Sequence, residues 1–588
     1  MMLGLFAFAP SGAAAQTPAA AGLPADCQPA VVGSPFIPVD SWIYPAVLRL
    51  YSLGYVDTVF LDVRPWTRAS VARMLDEAKD RLQDAEKSAA ASEAEGLYDK
   101  LHREFNQEAG HSCQAERNQI HLESTYSAVR GISGTPLEDS FHLGSTIVND
   151  YGRPYENGFN NYTGMSGYAS VWRFSAYVRG EFQGAPSATG YSAALTKELA
   201  IVDGTVNPVT GLAYPQSTIP TGPIAAATQG RLMEAYVGFQ LLNHVLSFGK
   251  QDEWLSPAQG ASMAYSNNAQ NIYALHLNRI EPLYVPLLSR LTGPFRYEFM
   301  VGELRGHTEM ANPLFNGSNY AAQPNVISPG NPWVHVEKVS LRPTRDLEFG
   351  FERTAIFGGE GHSPVTLHTF LKSFFSLSAP GQLVKNGPGD PGARFGSFDF
   401  SYRLPFVRDW LTLYADGNVH DDVSPIDAPR RASWRPGLYL AHTPGLAKLD
   451  FRVESASTDP PITNSFGGQF MYWEGIERQG YTNQGQLFGD WIGREDKGGQ
   501  AWVTYHLSGN EWVQASWRGQ KAAKDFIPGG TTLNDFGLQV VKRVGRDFEI
   551  NGRFNSVRWK APIYMPGLQS STATTIQLTW FPERKVIF

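Results

Sequence analysis

Phe548-Glu-Ile-Asn-Gly-Arg-Phe-Asn555 has an apolar residue or a glycine at every second position and a polar residue at each position between. Because successive side chains of a β-strand point to opposite faces, this stretch predicts a strand with one apolar face and one polar face. The same alternation recurs in the segments 172–182, 295–301, 347–352 and 449–454. Repeats of this kind, about ten residues long and separated by turns, are typical of a transmembrane β-barrel, which is the predicted fold.

The composition of the 588 residues agrees with a barrel and excludes two other classes of protein. Hydrophobic residues make up 42% of the chain and the mean hydropathy is −0.27. Beyond the first few residues, no apolar run reaches the roughly 18 residues that a membrane-spanning helix needs. The formal net charge of −7 offers no basic field for nucleic acid, so we expect no nucleic-acid partner.

The first residues predict export from the cytoplasm. Residues 1–21 read as a secretory signal peptide, with a short apolar core followed by the small residues Ala13-Ala14-Ala15, although no basic residue precedes the core. Cys27 and Cys113 are the only cysteines. In an exported protein two cysteines are expected to form a disulfide, and two free thiols are the alternative.

Residues 22–115 predict a small helical domain before the barrel. Asp40 or Ser41 can cap a first helix, and Gly54 stands where a glycine would end it. Thr67 can cap a second helix, and a third apolar stripe follows at helical spacing, formed by Leu97, Leu101 and Phe105. If the chain enters the membrane after this domain, the domain lies in the periplasm, where it could plug the barrel.

Residues 116–588 predict the barrel, with about 18 antiparallel strands in a range of 18 to 20 and extracellular loops. Very short connections alternate with long ones, and outer-membrane barrels have short periplasmic turns and long outer loops. The predicted long loops are 203–229, 252–270, 306–332, 355–393, 457–484 and 557–570. The terminal aromatic Phe588 is what such barrels usually present to the barrel assembly machinery, so that machinery and outer-membrane lipid are expected partners.

Several stretches together resemble the capsule assembly Wzi family. They are Phe248-Gly-Lys-Gln-Asp-Glu-Trp-Leu-Ser-Pro257, Ser266-Asn-Asn-Ala269, Leu341-Arg-Pro343, Leu347-Glu-Phe-Gly350 and Arg353-Thr-Ala-Ile-Phe-Gly-Gly359, in this order. The resemblance implies an outer-membrane barrel of about 18 strands with a periplasmic helical bundle. It also implies a lectin-like role without catalysis, in which exported capsular polysaccharide or exopolysaccharide is held at the cell surface. Polysaccharide export proteins are then further expected partners.

The candidate binding residues come from two long loops and one strand end. A sugar ring has an apolar face of C–H bonds, which suits an aromatic ring, and hydroxyls, which suit amides, carboxylates or arginines. The predicted polysaccharide-binding residues are Trp254, Tyr265, Asn267, Asn268, Tyr472, Trp473, Tyr481 and Arg353. Arg153 and Arg478 are further candidates to pair with an acidic polymer. An equally supported alternative is that these aromatic residues form an interfacial girdle or pack the loops.

The sequence indicates neither an enzyme nor a metal protein. It contains no common catalytic motif, and its 13 histidines are scattered without metal-ligand spacing, so no catalysis, cofactor or metal is expected. Charged residues of both signs alternate along the inner face of the predicted strands, which favours ion pairs in a plugged barrel over a selectivity filter. The competing hypothesis is a diffusion channel for saccharides or other solutes. An open lumen would favour the channel, because a barrel of 18 strands is wide enough for water.

Overall fold

The computed structural model describes residues 33–105, 118–204, 218, 222–307, 309–311, 325–327, 331–359, 364–375, 392–443, 445–461, 467–475, 478–582 and 585–587. Residues 1–21 and both cysteines, Cys27 and Cys113, lie outside these ranges. The signal peptide and the disulfide therefore stay predictions.

A closed antiparallel β-barrel makes up most of the described chain, as the sequence predicts. Eighteen long strands form the ring. Each strand pairs with the next along the chain, and the last pairs with the first, with Thr125 opposite Trp580, so the sheet is closed. A nineteenth, short strand, Lys585–Ile587, continues the last one alongside the first. The ring leaves no free sheet edge, so all the backbone groups of the wall can pair within the barrel.

The barrel strands are numbered in chain order: β1 (Asn118–Gly134), β2 (Gly158–Val171), β3 (Phe174–Ala185), β4 (Ala227–Leu241), β5 (His244–Lys250), β6 (Tyr273–Arg279), β7 (Phe295–Glu303), β8 (Trp333–Thr344), β9 (Leu347–Phe357), β10 (Ala393–Arg403), β11 (Leu411–His420), β12 (Ser433–Leu440), β13 (Leu449–Ser457), β14 (Asp496–Ser508), β15 (Glu511–Ala522), β16 (Thr531–Val544), β17 (Phe548–Ala561) and β18 (Met565–Trp580). Three pairs of very short strands lie in loops: Glu138–Asp139 with Gly144–Ser145, Glu309–Ala311 with Asn325–Ile327, and Thr482–Asn483 with Gln486–Leu487.

The outer surface of the barrel carries the apolar set of the alternation. Phe548 and Ile550 of β17 are 42% and 41% exposed, and Phe536 and Leu538 of β16 face outward in the same way. Exposed apolar side chains around a closed barrel match the lipid-facing band of an outer-membrane protein. The polar set points into the lumen.

The two ends of the barrel differ in the length of their connections. One end has the tight turns, such as Leu242-Asn243, where both residues have positive φ, at 51° and 62°. Such a pair of residues forms a two-residue hairpin turn whose twist matches that of the strands. The opposite end has the long connections, including 135–157, 251–272 and 458–495. By the rule for outer-membrane barrels, the end with tight turns is periplasmic and the end with long loops is extracellular.

Six helices accompany the barrel in the described residues: α1 (Ile43–Ser52), α2 (Arg68–Gln83), α3 (Ala89–Glu104), α4 (Ala193–Val202), α5 (Ser289–Thr292) and α6 (Leu367–Phe375). None of these helices is long and apolar enough to cross a membrane. The Oγ1 atom of Thr67 accepts a hydrogen bond from the Ser70 N–H at 3.2 Å, so the predicted cap of α2 is present. Gly54 has φ = 86° just beyond α1, as expected of the glycine that ends this helix.

The expected cap of α1 differs in the structure. Trp42 holds the cap position, and its side chain makes no capping hydrogen bond. Asp40 instead accepts two hydrogen bonds from the guanidinium of Arg179 in β3, at 2.9 and 2.8 Å. The Asp40 carboxylate, predicted to cap α1, therefore forms a salt bridge with the barrel wall instead.

The helical domain, residues 33–105, sits in the barrel as a plug. One apolar cluster joins residues of α1, α2 and α3 with barrel residues Tyr414, Tyr439 and Ala441 and with Ala258 of the loop 251–272. Because the plug shares its core with the inner wall, it is held inside the lumen.

Candidate functional site

The plug and an extracellular loop meet inside the lumen. The backbone of Arg64 in the plug pairs with that of Trp254 in the loop 251–272, through hydrogen bonds of 3.3 and 3.0 Å. The guanidinium of Arg64 also donates to the Ser256 carbonyl at 2.6 Å. The loop thus folds inward from the extracellular end until it touches the plug.

Ion pairs lie in the lumen around this contact. The Lys338 ammonium donates to Asp399 and lies 3.4 Å from Glu352 and 3.8 Å from Asp62 of the plug. Glu348 accepts a hydrogen bond from the Leu61 N–H of the plug at 2.8 Å. These inward charges of the strands are therefore engaged with each other and with residues 61 and 62 of the N-terminal helical domain.

A second buried network holds the outer loops together. The His142 imidazole lies between Asp139 and Asp203, with Nδ1–O and Nε2–O distances of 2.9 and 3.1 Å. Arg494 donates to Asp203 at 2.7 Å. Burial lowers the pKa of His142, but the two carboxylates outweigh burial and raise it to about 9. At neutral pH the imidazole is consequently charged, and it ties the loop 135–157 to the end of α4.

The predicted binding residues of the loop 251–272 are buried. Trp254 and Tyr265 are 6% and 1% exposed. The Trp254 indole donates to the Ala258 carbonyl at 2.9 Å, and the ring of Tyr265 packs edge-on against Phe488. Asn267 and Asn268 are buried too, and the amide of Asn268 donates to the Leu487 carbonyl. In this structure these four side chains shape the inward fold of the loop.

The predicted residues of the loop 458–495 divide into two groups. Tyr472 and Tyr481 are buried and stack on each other, with ring centroids 5.8 Å apart. Trp473 is half-buried; its indole donates to the Asp203 carbonyl at 3.3 Å, and the Arg478 guanidinium lies over its ring. Of the seven predicted loop residues, Trp473 keeps the most accessible surface for a sugar ring.

Arg353 lies away from the loops that hold the other candidates. It points outward from β9, like Phe351 two residues earlier, which is 44% exposed. Its guanidinium contacts Glu337 and the carbonyls of Ser373 and Phe374 at the end of α6. A cation is stabilised at a helix C-terminus, so in this structure Arg353 anchors α6 to the outside of the barrel.

A cavity of about 260 Å³ between the plug and the barrel wall, here called the wall cavity, was not predicted from the sequence. It lies between α1 and the inner faces of β12 to β16. Its lining combines three aromatic rings with charged and amide groups: Tyr439, Trp502, Trp512, Arg49, Asp450, Arg452, Thr504, His506, Gln259, Gln514 and Gln539. Trp502, Trp512 and Gln514 are only half-buried, so the wall cavity is accessible to solvent.

The polar groups of the wall cavity are held in fixed positions. Asp450 accepts hydrogen bonds from Arg49, Tyr439 and His506, at 3.2, 3.0 and 2.7 Å. The Arg452 guanidinium lies 4.1 Å from the centre of the Tyr439 ring. Flat aromatic faces beside fixed donors and acceptors are the groups that a sugar ring requires.

The sequence contained part of this signal. The alternation in β14 places Trp502, Thr504 and His506 on one face, and that in β15 places Trp512 and Gln514 on one face. The sequence could not show that α1 leaves this part of the wall uncovered, because the position of the plug depends on contacts between distant residues.

Comparisons with known proteins agree with the fold. The family model described as "Capsule assembly protein Wzi" matches residues 127–574. One solved structure, Wzi of Escherichia coli, described as an outer membrane protein involved in group 1 capsule assembly and a carbohydrate binding beta-barrel, has 15% identity and a TM-score of 0.62, over 92% of this chain and 98% of that chain.

Other solved structures are less similar. OccAB2 of Acinetobacter baumannii has 10% identity and a TM-score of 0.39, over 78% of this chain and 98% of that chain. OccAB3 of the same organism has 9% identity and a TM-score of 0.39, over 80% and 99%. A search of curated protein sequences found no match.

Proposed function

The chain belongs to the capsule assembly Wzi family, and from this membership we propose that it is an outer-membrane protein that binds capsular polysaccharide or exopolysaccharide and anchors or assembles it at the cell surface. The plug, residues 33–105, lies on the periplasmic side. The role is binding without catalysis. Barrel assembly machinery, outer-membrane lipid and polysaccharide export proteins are the partners that this role requires.

The observation that carries the proposal is the contact of the plug with the loop 251–272 inside the barrel. A diffusion channel needs a continuous aqueous path, whereas here the plug and the loop 251–272 meet through the backbones of Arg64 and Trp254. The ion pairs around Lys338 occupy the space beside this contact. A barrel that holds a plug in this way is suited to present binding surfaces at its ends and in the cavity beside the plug.

The wall cavity, which lies beside the periplasmic turn 509–510, is the proposed contact for polysaccharide that reaches the barrel from the periplasm. Trp502 and Trp512 would stack on the apolar faces of sugar rings, because the negative face of an aromatic ring attracts C–H groups. Asp450, Gln514 and Gln539 would pair with hydroxyls. A volume of 260 Å³ is slightly below the roughly 300–1,000 Å³ of small-molecule sites, so the cavity suits a short part of a polymer.

The charge of the cavity favours an acidic sugar. Arg452 lines it and is half-buried, and a planar guanidinium matches the two oxygens of a carboxylate. Arg49 also lines the cavity, but it is already paired with Glu93 and Asp450. A polymer that contains uronic acid or a similar acidic unit is therefore the preferred ligand class.

Trp473 provides a second proposed contact, at the extracellular end. It is half-buried beside Arg478, which gives a sugar ring one aromatic face next to a cation. For Trp254, Tyr265, Asn267, Asn268, Tyr472 and Tyr481 we propose an indirect role, in which they hold the inward fold of the loops. Arg353 would support binding only through α6.

The proposal is tested in cells of the source bacterium that lack the gene and carry variants on a plasmid. The double variant W502A/W512A should release polysaccharide into the medium while synthesis continues, because two stacking surfaces are lost. The matched control is W517A, since Trp517 lies on the same strand β15 but faces outward and is 37% exposed. Equal surface polymer in the double variant and the parent would show that the wall cavity does not hold it.

A further inference from the structure

Three buried ionisable side chains converge where the loop 251–272 leaves the barrel wall. Glu253 lies near the start of the loop, His276 lies on β6 and Glu298 on β7, and each is at most 2% exposed. The Nδ1 atom of His276 is 3.0 Å from Glu253 Oε1 and 3.4 Å from Glu298 Oε1. One potential ligand atom from each residue lies within 4.8 Å of the others.

The charges of this cluster do not balance. Among the described residues, His276 is the one base within ion-pair distance of either carboxylate, so even a protonated imidazole would leave a net negative charge. Glu253 Oε2 has no hydrogen-bond partner although the residue is buried. Two carboxylates in such a dry site need either a cation or a shared proton.

We propose that Glu253, His276 and Glu298 bind a divalent transition-metal ion, with zinc as the best match. Imidazole and carboxylate donors suit zinc, whose bonds to nitrogen and oxygen are about 2.0–2.2 Å. A tetrahedral site with such bonds has edges of roughly 3.3 Å, close to the two distances of 3.0 and 3.4 Å in the cluster. The unpaired Oε2 of Glu253 or a water molecule would complete the coordination.

Neighbouring amides already orient the ligands. The Asn278 side chain donates to Glu298 Oε2 at 2.6 Å, and the Gln251 side chain donates to Glu253 Oε1 at 3.1 Å. Ligand carboxylates in metal sites are commonly held by hydrogen bonds of this kind.

The ion would fasten the inward loop to the barrel wall. Glu253 directly precedes Trp254, whose backbone pairs with Arg64 of the plug. Two strands of the wall would thus hold the loop residue next to the contact that closes the lumen. Removal of the ion should loosen this contact and raise the ion conductance of the barrel, independently of polysaccharide binding.

The test uses full-length protein refolded or extracted in detergent and treated with EDTA. Isothermal titration with zinc chloride should show about one equivalent bound, and E253Q and E298Q should each weaken binding by at least about tenfold. The matched control is E303Q, because Glu303 lies on the same strand β7, is partly exposed and is hydrogen-bonded to Asn331 instead. The migration of unheated samples in gel electrophoresis verifies that each variant is folded.

Three other outcomes would overturn the proposal. The first is no zinc binding by folded wild-type protein. The second is binding that E253Q and E298Q leave unchanged, which would indicate an adventitious surface site. The third is absence of binding together with a higher unfolding temperature of E298Q, which would indicate that the two carboxylates share a proton. If E298Q fails to fold, the zinc affinity of E253Q decides the test, because this variant changes a loop residue and leaves the barrel strands intact.

Discussion

Replacement of Arg49 by methionine should loosen the plug, because this arginine anchors the plug to the wall through several hydrogen bonds. Arg49 is 1% exposed. Its guanidinium donates to Glu93 within the plug at 2.6 Å. It also reaches the barrel, with donor–acceptor distances of 2.7 Å to the Ala441 carbonyl and 3.2 Å to Asp450. Methionine keeps much of the side-chain volume but removes the charge and every donor.

The size of the effect follows from the groups left behind. Removal of one partner of a buried ion pair costs about 3–5 kcal/mol. The cost for R49M should lie at the lower end of this range, because Asp450 keeps its hydrogen bonds from His506 and Tyr439. A loss of about 3 kcal/mol shifts the equilibrium between docked and released plug by roughly 150-fold.

The assay is single-channel conductance of purified protein in planar bilayers. The R49M variant should show open events about two orders of magnitude more often than the parent. The matched control is R73M, because Arg73 on α2 pairs with Glu281 at 2.9 Å, but the two side chains are 48% and 35% exposed. An exposed pair contributes at most about 1 kcal/mol, so R73M should conduct like the parent.

The reasoning is refuted if folded R49M conducts no more than the parent, or if R73M leaks as much as R49M. Deletion of residues 40–107 gives the limiting case. It should leave a barrel that inserts and conducts continuously. A deletion variant that stays closed would show that the outer loops alone close the lumen.

Three further predictions concern the loops and the N-terminal region. The pKa of His142 in the folded protein, raised to about 9, lies above its ordinary value of 6.5, so the stabilisation by the charged imidazole is complete below pH 6.5 and is lost as the pH rises through 9. Protease resistance of the outer loops should therefore fall between pH 7 and 10, and H142N should remove that pH dependence. Replacement of buried Trp254 by alanine should cost about 3–5 kcal/mol of stability. W473A should leave the unfolding temperature unchanged and reduce the amount of surface polymer. An equal loss of stability in both variants would contradict the positions assigned to the two tryptophans. The intact mass of the exported protein should show cleavage near Ala15 or Ala21, and retention of Met1 would disprove this prediction. Peptide mapping without reductant should find a Cys27–Cys113 disulfide, and two free thiols would disprove that prediction.

The barrel itself could be predicted because its signals are local. The alternation in 548–555 depends only on neighbouring residues, and a turn such as Leu242-Asn243 is recognised by its shortness. Eighteen strands and the plug helices follow from repeats of such signals. The cap of α1 could not be predicted, because the carboxylate of Asp40 is taken by Arg179 of β3, 139 positions along the chain.

The positions of the candidate site residues depended on long-range packing. Trp254 and Tyr265 are residue types that suit a sugar-binding site, but the loop 251–272 folds inward onto the plug and buries them. The sequence predicts that Arg353 binds polysaccharide, whereas in the structure its guanidinium donates to two carbonyls of α6. The wall cavity exists because α1 meets β12 and leaves part of β14 and β15 uncovered, which no local pattern contains.

Direct binding of the polysaccharide to purified protein tests the central claim. Surface polysaccharide of the source bacterium, cut to soluble oligosaccharides, is titrated calorimetrically into the parent, the double variant W502A/W512A and the outward-facing control W517A. An aromatic stacking contact contributes about 0.5–1.5 kcal/mol, so loss of two should weaken binding by roughly tenfold, while W517A binds like the parent. Equal affinity of the folded double variant and the parent would contradict the account, as would no binding by the parent.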